Sequence, residues 1–256
     1  MCIQSSESPI SVSQPRPYLA LFARFPYPGR CKTRLIPRLG EGGACLFARA
    51  ALTDILHLFA AMTTHRKILF FTPESAKSDV LRFLDQESLR SSWEIHPQAN
   101  SSDLGSRLCK GLGHVRDLDC KVSSAAPTVS TSTVTFIGMD CFDLTGPIVQ
   151  ESTELVSLNR GKAHMIPARD GGYTLLTIPL GCDGNKVFDQ IPWSSSQTGF
   201  FQKKRLEEAG LSCVMGEALL DVDEPSDLDR LLETQAEKRH LYPRVFAYLD
   251  AEQIQV

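Results

Sequence analysis

Short apolar runs that alternate with stretches of helical periodicity constrain this chain more than any other feature. Tyr18 to Ala23 (YLALFA), Lys67 to Thr72 (KILFFT) and Val134 to Gly138 (VTFIG) are brief and almost wholly apolar, as strands covered on both faces must be. Between the first two, Leu52, Ile55, Leu56, Phe59 and Met62 recur at helical spacing, which predicts a helix from about Gly43 to Met62. The same reading predicts helices over Ala76 to Leu84, from an Asp103 cap to about Val115, and over Gly146 to Leu158, Thr198 to Gly210 and Glu224 to Gln235. Strands are predicted at Trp93 to His96, Ala163 to Ala168, Gly172 to Ile178 and Ser212 to Met215. Such alternation builds βαβ units, hence an α/β fold with a mostly parallel sheet between helical layers. Ligands of such sheets bind at the carboxyl ends of the strands, so the loops that follow strands are where chemistry is expected.

The 256 residues are 42% hydrophobic and 22% charged, an ordinary globular balance that accommodates a single domain over about 18–250. Met1 to Pro17, rich in Ser, Pro and Gln, reads as a floppy tail without a secretory apolar run, and Asp117 to Thr133 as a Ser/Thr-rich surface loop or insertion. The formal charge of −3 and the lack of a dense basic patch argue against a nucleic-acid partner. No run is expected to reach the roughly 18 apolar residues of a membrane span. The eight cysteines include no C-x-x-C pair, so reduced thiols in a cytoplasmic protein are expected. A homodimer is compatible with the sequence.

Four segments at strand ends could carry chemistry. Arg24, Arg30, Lys32 and Arg34 crowd into the loop after the first strand, around Pro28 and Gly29. Several cations beside free backbone N–H groups can cradle phosphate, although the loop lacks the G-K-[ST] of a Walker A sequence and could be a solvated basic turn. Asp140 closes the strand Val134 to Gly138, where it could hold Mg²⁺ or Mn²⁺ against phosphate oxygens, or serve only as a turn residue. Asp143 could cap the next helix. Asp170, Gly171, Gly172 and Tyr173 could approach a ligand's hydroxyl groups, or form a plain hairpin turn. Asp221 and Asp223 alternate on an extended segment and so face one side, where either could complete a metal site with Asp140; Asp223 also suits a helix N-cap. A fifth segment, Asp103, Gly105 and Arg107, opens a helix and could meet a base or ribose, and Trp193 is either core or lid.

Taken in order, the segments F-A-R-F-P-Y-P-G-R-C-K-T-R-L (from Phe22), D-L-G-S-R-L (from Asp103), F-I-G-M-D (from Phe136), A-R-D-G-G-Y-T-L-L (from Ala168), I-P-W-S-S (from Ile191) and D-V-D-E-P-S-D-L (from Asp221) resemble the glycosyltransferase-like family of the nucleotide-diphospho-sugar transferase superfamily. That family is similar to the guanylyltransferases of molybdenum-cofactor and phospholactate metabolism. The resemblance spans about Tyr18 to Leu232. It implies a GT-A-like α/β/α fold and a metal-dependent transferase that takes a nucleotide-activated donor, most simply a nucleotide-diphospho-sugar. Nucleotidyl transfer with pyrophosphate release, or a catalytically inactive nucleotide-binding module, are the alternatives. It further implies that Arg24, Lys32 and Arg34 meet the donor phosphates and that Asp103 to Arg107 sits near the base. Asp140 with Asp223 or Asp221 would hold Mg²⁺ or Mn²⁺, and Asp170 and the paired glycines would face sugar or acceptor. The chain departs from the family in having Arg24 for Lys, Ser195 for Thr, and Cys141-Phe142 after Asp140 with no following Pro.

Overall fold

The computed structural model describes residues 16–101, 103–123, 132–233 and 236–253. Its strands are β1 (Tyr18–Arg24), β2 (Arg66–Thr72), β3 (Glu94–Pro97), β4 (Thr133–Ile137), β5 (Lys162–Pro167), β6 (Tyr173–Pro179) and β7 (Ser212–Met215). They form one sheet in the order β3-β2-β1-β4-β6-β5-β7. β1 pairs in parallel with β2 and β4, while β6 runs antiparallel to both β4 and β5. The mixed, mainly parallel sheet is therefore the one the sequence pattern predicts. The antiparallel β6 brings its start, and the β5–β6 turn, to the same edge as the carboxyl ends of β1 and β4.

The helices are α1 (Ile36–Ala60), α2 (Lys77–Gln86), α3 (Leu104–Ser123), α4 (Gly146–Ser157), α5 (Gly184–Phe188), α6 (Thr198–Glu208), α7 (Pro225–Leu232), α8 (Ala236–Arg239) and α9 (Pro243–Gln253). Strand β1 shows why both faces need cover. Leu19, Leu21 and Ala23 pack with residues of α1, α2 and α9 on one side. Tyr18, Ala20 and Phe22 pack with residues of α3, α5 and α6 on the other. A strand with both of its faces in a core reads as an unbroken apolar run.

Several boundaries differ from the sequence expectations. Helix α3 continues to Ser123, through the first part of the segment expected to be a loop insertion, and Thr133 already belongs to β4. The intervening 124–131 lie outside the described residues, as does most of the expected N-terminal tail. Helix α1 begins earlier than expected and breaks its helical geometry at Gly40. With its leading turn it covers Thr33–Ala60, at a hydropathy of 1.4 over an 18-residue window, which by length and composition is enough to cross a membrane. That corrects the expectation that no run comes close. Here 56% of the window is buried, and Ala44, Phe47, Ala51, Leu52, Ile55 and Phe59 are in the core, so its apolar face is spent on packing. The seven cysteines among the described residues are all free thiols.

The C-terminal helix α9, which the sequence reading did not anticipate, is tied in by one buried carboxylate. Asp54 of α1 is 1% exposed and accepts hydrogen bonds from the backbone N–H of Arg244 (2.8 Å) and Val245 (2.9 Å), while the Arg244 guanidinium lies 3.3 Å away. It caps α9 from a distant helix, satisfying amides that α9 cannot satisfy itself. Asp54→Ala is expected to cost about 2–4 kcal/mol, because it leaves two amides without their acceptor and Arg244 with Glu87 as its remaining carboxylate; urea unfolding followed by circular dichroism measures it.

A buried histidine sets an acid limit on stability. His65 is 3% exposed and its Nε2 lies 3.0 Å from the Thr153 hydroxyl. Burial, with a smaller push from Lys67, lowers its pKa from 6.5 to about 4. The unfolded chain then binds this proton below about pH 6.5 while the folded chain resists it, so stability drains as pH falls from 6.5 towards 4. The expected loss from this group is up to about 3 kcal/mol, and a His65→Gln variant should show a correspondingly flatter slope of unfolding free energy between pH 7 and 4.

Candidate active site

Four chain segments meet at the carboxyl edge of the sheet: the loop after β1, the turn after β4, the β5–β6 turn, and the stretch before α7. The last is drawn in by backbone pairing. Val222 N–H donates to the Asp140 carbonyl (2.9 Å), and bridges join Cys141 to Asp221 and Ala168 to Leu219. Val222 is fully buried, so Asp221 and Asp223 on either side of it face the cleft together, as their spacing predicts.

Lys32 joins these segments. Its ammonium donates to Asp140 Oδ2 (3.0 Å), Asp223 Oδ1 (2.7 Å) and the Val222 carbonyl (2.7 Å), which uses all three of its donors. The side chain is 8% exposed. Burial alone would press it towards the neutral amine, but Asp140 and Asp223 outweigh that and hold its pKa above the ordinary lysine value. Burial likewise works against ionised Asp223, yet the Lys32 charge wins and lowers its pKa. The backbone at Lys32 is left-handed, φ 43° and ψ 45°, a conformation costing a non-glycine residue on the order of 1–2 kcal/mol. The three hydrogen bonds hold it there.

The other predicted cations flank this point. Arg24 is exposed, donates to the Arg30 carbonyl (3.4 Å), and borders a small cleft with Lys32 and Asp140. Arg34 borders another with Lys32 and Asp223, and stands 3.9 Å from Glu224 with both side chains largely exposed. So exposed a pair adds little stability, and Arg34 can be drawn to a ligand at small cost. Pro28 and Gly29 shape the loop and line neither cleft.

On the far side of the Lys32 bridge is a cleft of about 310 Å³. Asp140, Asp170, Asp221 and Asp223 supply its charged lining, Thr174, Ser194, Ser195 and Thr198 add hydroxyl groups, and Phe22, Leu104, Leu108, Phe136, Tyr173 and Trp193 are apolar. Asp170 Oδ1 accepts from Gly172 N–H (2.8 Å), leaving its second oxygen without a protein partner among the described residues. Burial, reinforced by the carboxylates of Asp170 and Asp140, pushes Asp221 up to about 6. Tyr173, raised well above its usual value by burial, donates to Gln202 (3.1 Å), and its ring meets Trp193 edge-on at 6.5 Å.

Mg²⁺ or Mn²⁺, which the fold family implies, can be tested against these residues. Oxygens of Asp140 and Asp223 already converge on one cation, the Lys32 ammonium. Only these two of the cleft's four carboxylates pair with that ammonium, and hard oxygen donors with surplus negative charge suit a small divalent ion. The set fits, provided that Lys32 moves aside. No cluster of three or more His, Cys, Asp or Glu side chains is arranged for a metal among the described residues.

Other predicted site residues have different work. Asp103 caps α3, taking Gly105 N–H (3.2 Å) and Ser106 N–H (2.7 Å), and Arg107 Nε holds the Ser101 carbonyl (2.7 Å). Neither lines the main cleft; Leu104 and Leu108 do. Gly105 seats the indole: a Cβ there would lie 2.4 Å from the Phe188 carbonyl and 2.7 Å from Trp193 Nε1. Gly171, at φ +95°, packs on protein rather than a ligand, since a Cβ would meet the Ser196 carbonyl at 2.1 Å. Its carbonyl accepts Gly199 N–H (2.8 Å) at the start of α6. Asp143 does not cap α4, a role taken by Thr145; it accepts Leu220 N–H (3.2 Å) and pairs with Lys238. Asp223 does not cap α7, because Glu224 and Asp227 form that capping box. Cys141 and Phe142, the departure from the family pattern, point into the core, where the Phe142 ring packs on Tyr242 (5.1 Å) and Phe47 (5.8 Å). They leave the cleft unaltered.

Sequence reasoning missed Phe22, Leu104, Leu108, Phe136, Thr174 and Thr198 as lining residues. Phe22 and Phe136 sit in apolar strands and give no signal that separates them from core.

With this geometry, the fold is that of the nucleotide-diphospho-sugar transferases. A solved structure from Desulfovibrio desulfuricans G20, provisionally named a nucleotide-diphospho-sugar transferase, superposes with a TM-score of 0.75 at 22% identity, covering 93% of this chain and 97% of its own. A 4-diphosphocytidyl-2C-methyl-D-erythritol synthase from Anaerococcus prevotii DSM 20548 superposes at 0.51 with 10% identity, covering 85% of this chain and 97% of its own. A further synthase of that name gives 0.54 at 11% identity, covering 86% and 100%. No curated protein matches the sequence. The chain belongs to the DUF2064 family, described as uncharacterized proteins conserved in bacteria, whose model matches residues 55–195. That match includes Asp140, Asp170 and Trp193 but not Lys32 or Asp223.

Gly105→Ala should displace Trp193 and destabilise the fold by about 1–3 kcal/mol, since backbone and indole would both have to shift. Trp193 emission should move to longer wavelength, whereas the buried Trp93 would not respond.

Proposed function

We propose that the protein is a metal-dependent transferase acting on a nucleotide-activated donor, with a nucleotide-diphospho-sugar as the donor that suits the site best. The observation that carries this reading is the Lys32 ammonium between Asp140 and Asp223, with Arg24 on one side and Arg34 on the other, at the carboxyl edge of a sheet with this fold. In the donor complex Lys32, Arg24 and Arg34 face the diphosphate, and Asp140 with Asp223 hold Mg²⁺ or Mn²⁺. The ion supplies positive charge for the leaving diphosphate. The acceptor's hydroxyl oxygen bonds to the anomeric carbon, the bond from that carbon to the diphosphate oxygen breaks, and the electron pair leaves with the nucleoside diphosphate. Asp170 takes the hydroxyl proton. Once drawn onto the donor, these cations stand where negative charge develops on the leaving diphosphate.

Nucleoside di- and triphosphates and common nucleotide sugars, each with and without Mn²⁺, test the reading by thermal shift. At about a hundredfold excess over Kd the right donor adds about 2.7 kcal/mol, or about 5–10 °C for a chain of this size. The shift should need metal and vanish in Asp140→Ala. A well-folded wild-type protein that shifts with no nucleotide would sink the proposal. Pyrophosphate among the products, instead of a nucleoside diphosphate, would assign nucleotidyl transfer.

A further inference from the structure

The main cleft and the basic loop differ in sign. Arg24 and Arg34 border small clefts with Lys32, and none of the three cations lines the main cleft. The main cleft has four carboxylates, and its lining includes no Arg, Lys or His among the described residues. Lys32 pairs with two of the four, leaving Asp170 and Asp221 without a basic partner among the described residues. Arg169 is exposed and outside the lining.

Two helix starts border the cleft, and at each of them two first-turn amides are already taken. The first amides of α3 are taken by Asp103, a carboxylate that already supplies the negative charge a helix N-terminus attracts. At α6, Gly199 N–H is taken by the Gly171 carbonyl, and Thr198 N–H by the Ser195 carbonyl (3.1 Å). A phosphate monoester in this cleft would meet like charge and no Arg, Lys or His side chain among the described residues. The rest of the lining is largely apolar and aromatic, with Trp193, Tyr173, Phe22, Leu108 and Phe136.

We infer that this cleft receives the acceptor, and that the acceptor is an unphosphorylated alcohol or amine with an apolar, aromatic portion. The apolar portion lies against Trp193 and Tyr173, and the hydroxyl or amino group is presented to Asp170 and Asp221. This rests on the transferase reading above and narrows it, since a phosphorylated acceptor of nucleotidyl transfer would find no Arg, Lys or His side chain here among the described residues.

Fluorescence of the two tryptophans can test it. Trp93 is 2% exposed, with its indole N–H bound to the Leu56 carbonyl (3.1 Å), so it should be silent, whereas Trp193 lines the cleft. Three probes share one aromatic body: tyrosol, tyramine, and tyrosol phosphorylated on its aliphatic hydroxyl. They are titrated into the full chain, with and without Mg²⁺ and inorganic pyrophosphate in place of the donor diphosphate. Tyrosol and tyramine should change the emission, and the change should be lost in Trp193→Phe. The phosphate ester should bind at least about tenfold more weakly, a difference of about 1.4 kcal/mol. The double variant Asp170→Asn, Asp221→Asn should narrow that gap. Equal or tighter binding of the phosphate ester, a response that survives Trp193→Phe, or no response to any probe would overturn the assignment. These failures are separable from failure of the donor reading: the nucleotide thermal shift reports on the basic loop whether or not the cleft accepts a probe.

Discussion

The Lys32 ammonium is the one charge that three separate parts of the chain depend on. It takes a left-handed backbone after β1 and uses it to reach a carboxylate after β4, and a carboxylate and a carbonyl before α7. Those groups are far apart in sequence and would repel one another without it. Removing a paired buried cation generally costs more than the pair contributes, because the partner charges stay buried and uncompensated. Backbone pairing lays the segment from Asp221 to Asp223 along the sheet edge, and the Lys32 bridge then fixes Asp140 and Asp223 against each other, so the site has a preformed shape before any ligand arrives.

The same bridge divides the edge into two electrostatic compartments. Arg24 and Arg34 lie to one side, with exposed side chains that can turn towards phosphate. Asp170 and Asp221 lie to the other, against aromatic rings. Substituting an exposed, weakly paired arginine would change ligand affinity more than stability, whereas the bridge itself affects both. Under the proposed function, a diphosphate and a metal would offer exchange partners to both halves of the bridge, phosphate for Lys32 and a divalent ion for Asp140 and Asp223, so that neither half would be left unpaired in a partly buried site.

Much of the fold was legible because strands with two buried faces and helices with one leave distinct periodicities. Asp140, Asp223 and the loop cations could be nominated from their places at strand ends. Their meeting on one ammonium could not, since it depends on a bridge between Cys141 and Asp221, eighty residues apart. The glycines mislead for a related reason. In sequence, Gly105 and Gly171 look like places where a ligand approaches the backbone; in the structure, Trp193 and Ser196 approach it instead. A missing side chain reveals close contact but not with what. Helix α9 was missed because its anchor, Asp54, lies in another helix and looks like an ordinary surface acid from its neighbours.

The Cys141-Phe142 departure shows how position in the fold decides what a change means. Adjacent to Asp140 in sequence, the pair suggests an altered site. Both side chains instead turn into the layer formed by α1 and α9, where Tyr242 donates to the Leu144 carbonyl (2.6 Å) and packs edge-on against Phe142. The substitution thus belongs with the C-terminal helix: a bulky ring after Asp140 is accommodated where Tyr242 and Phe47 form its walls. The turn that carries Asp140 is braced from behind by this aromatic packing, while its front is fixed by Lys32. Rigid support on one face and a single exchangeable cation on the other is an arrangement that positions a carboxylate firmly yet leaves its charge available to a ligand.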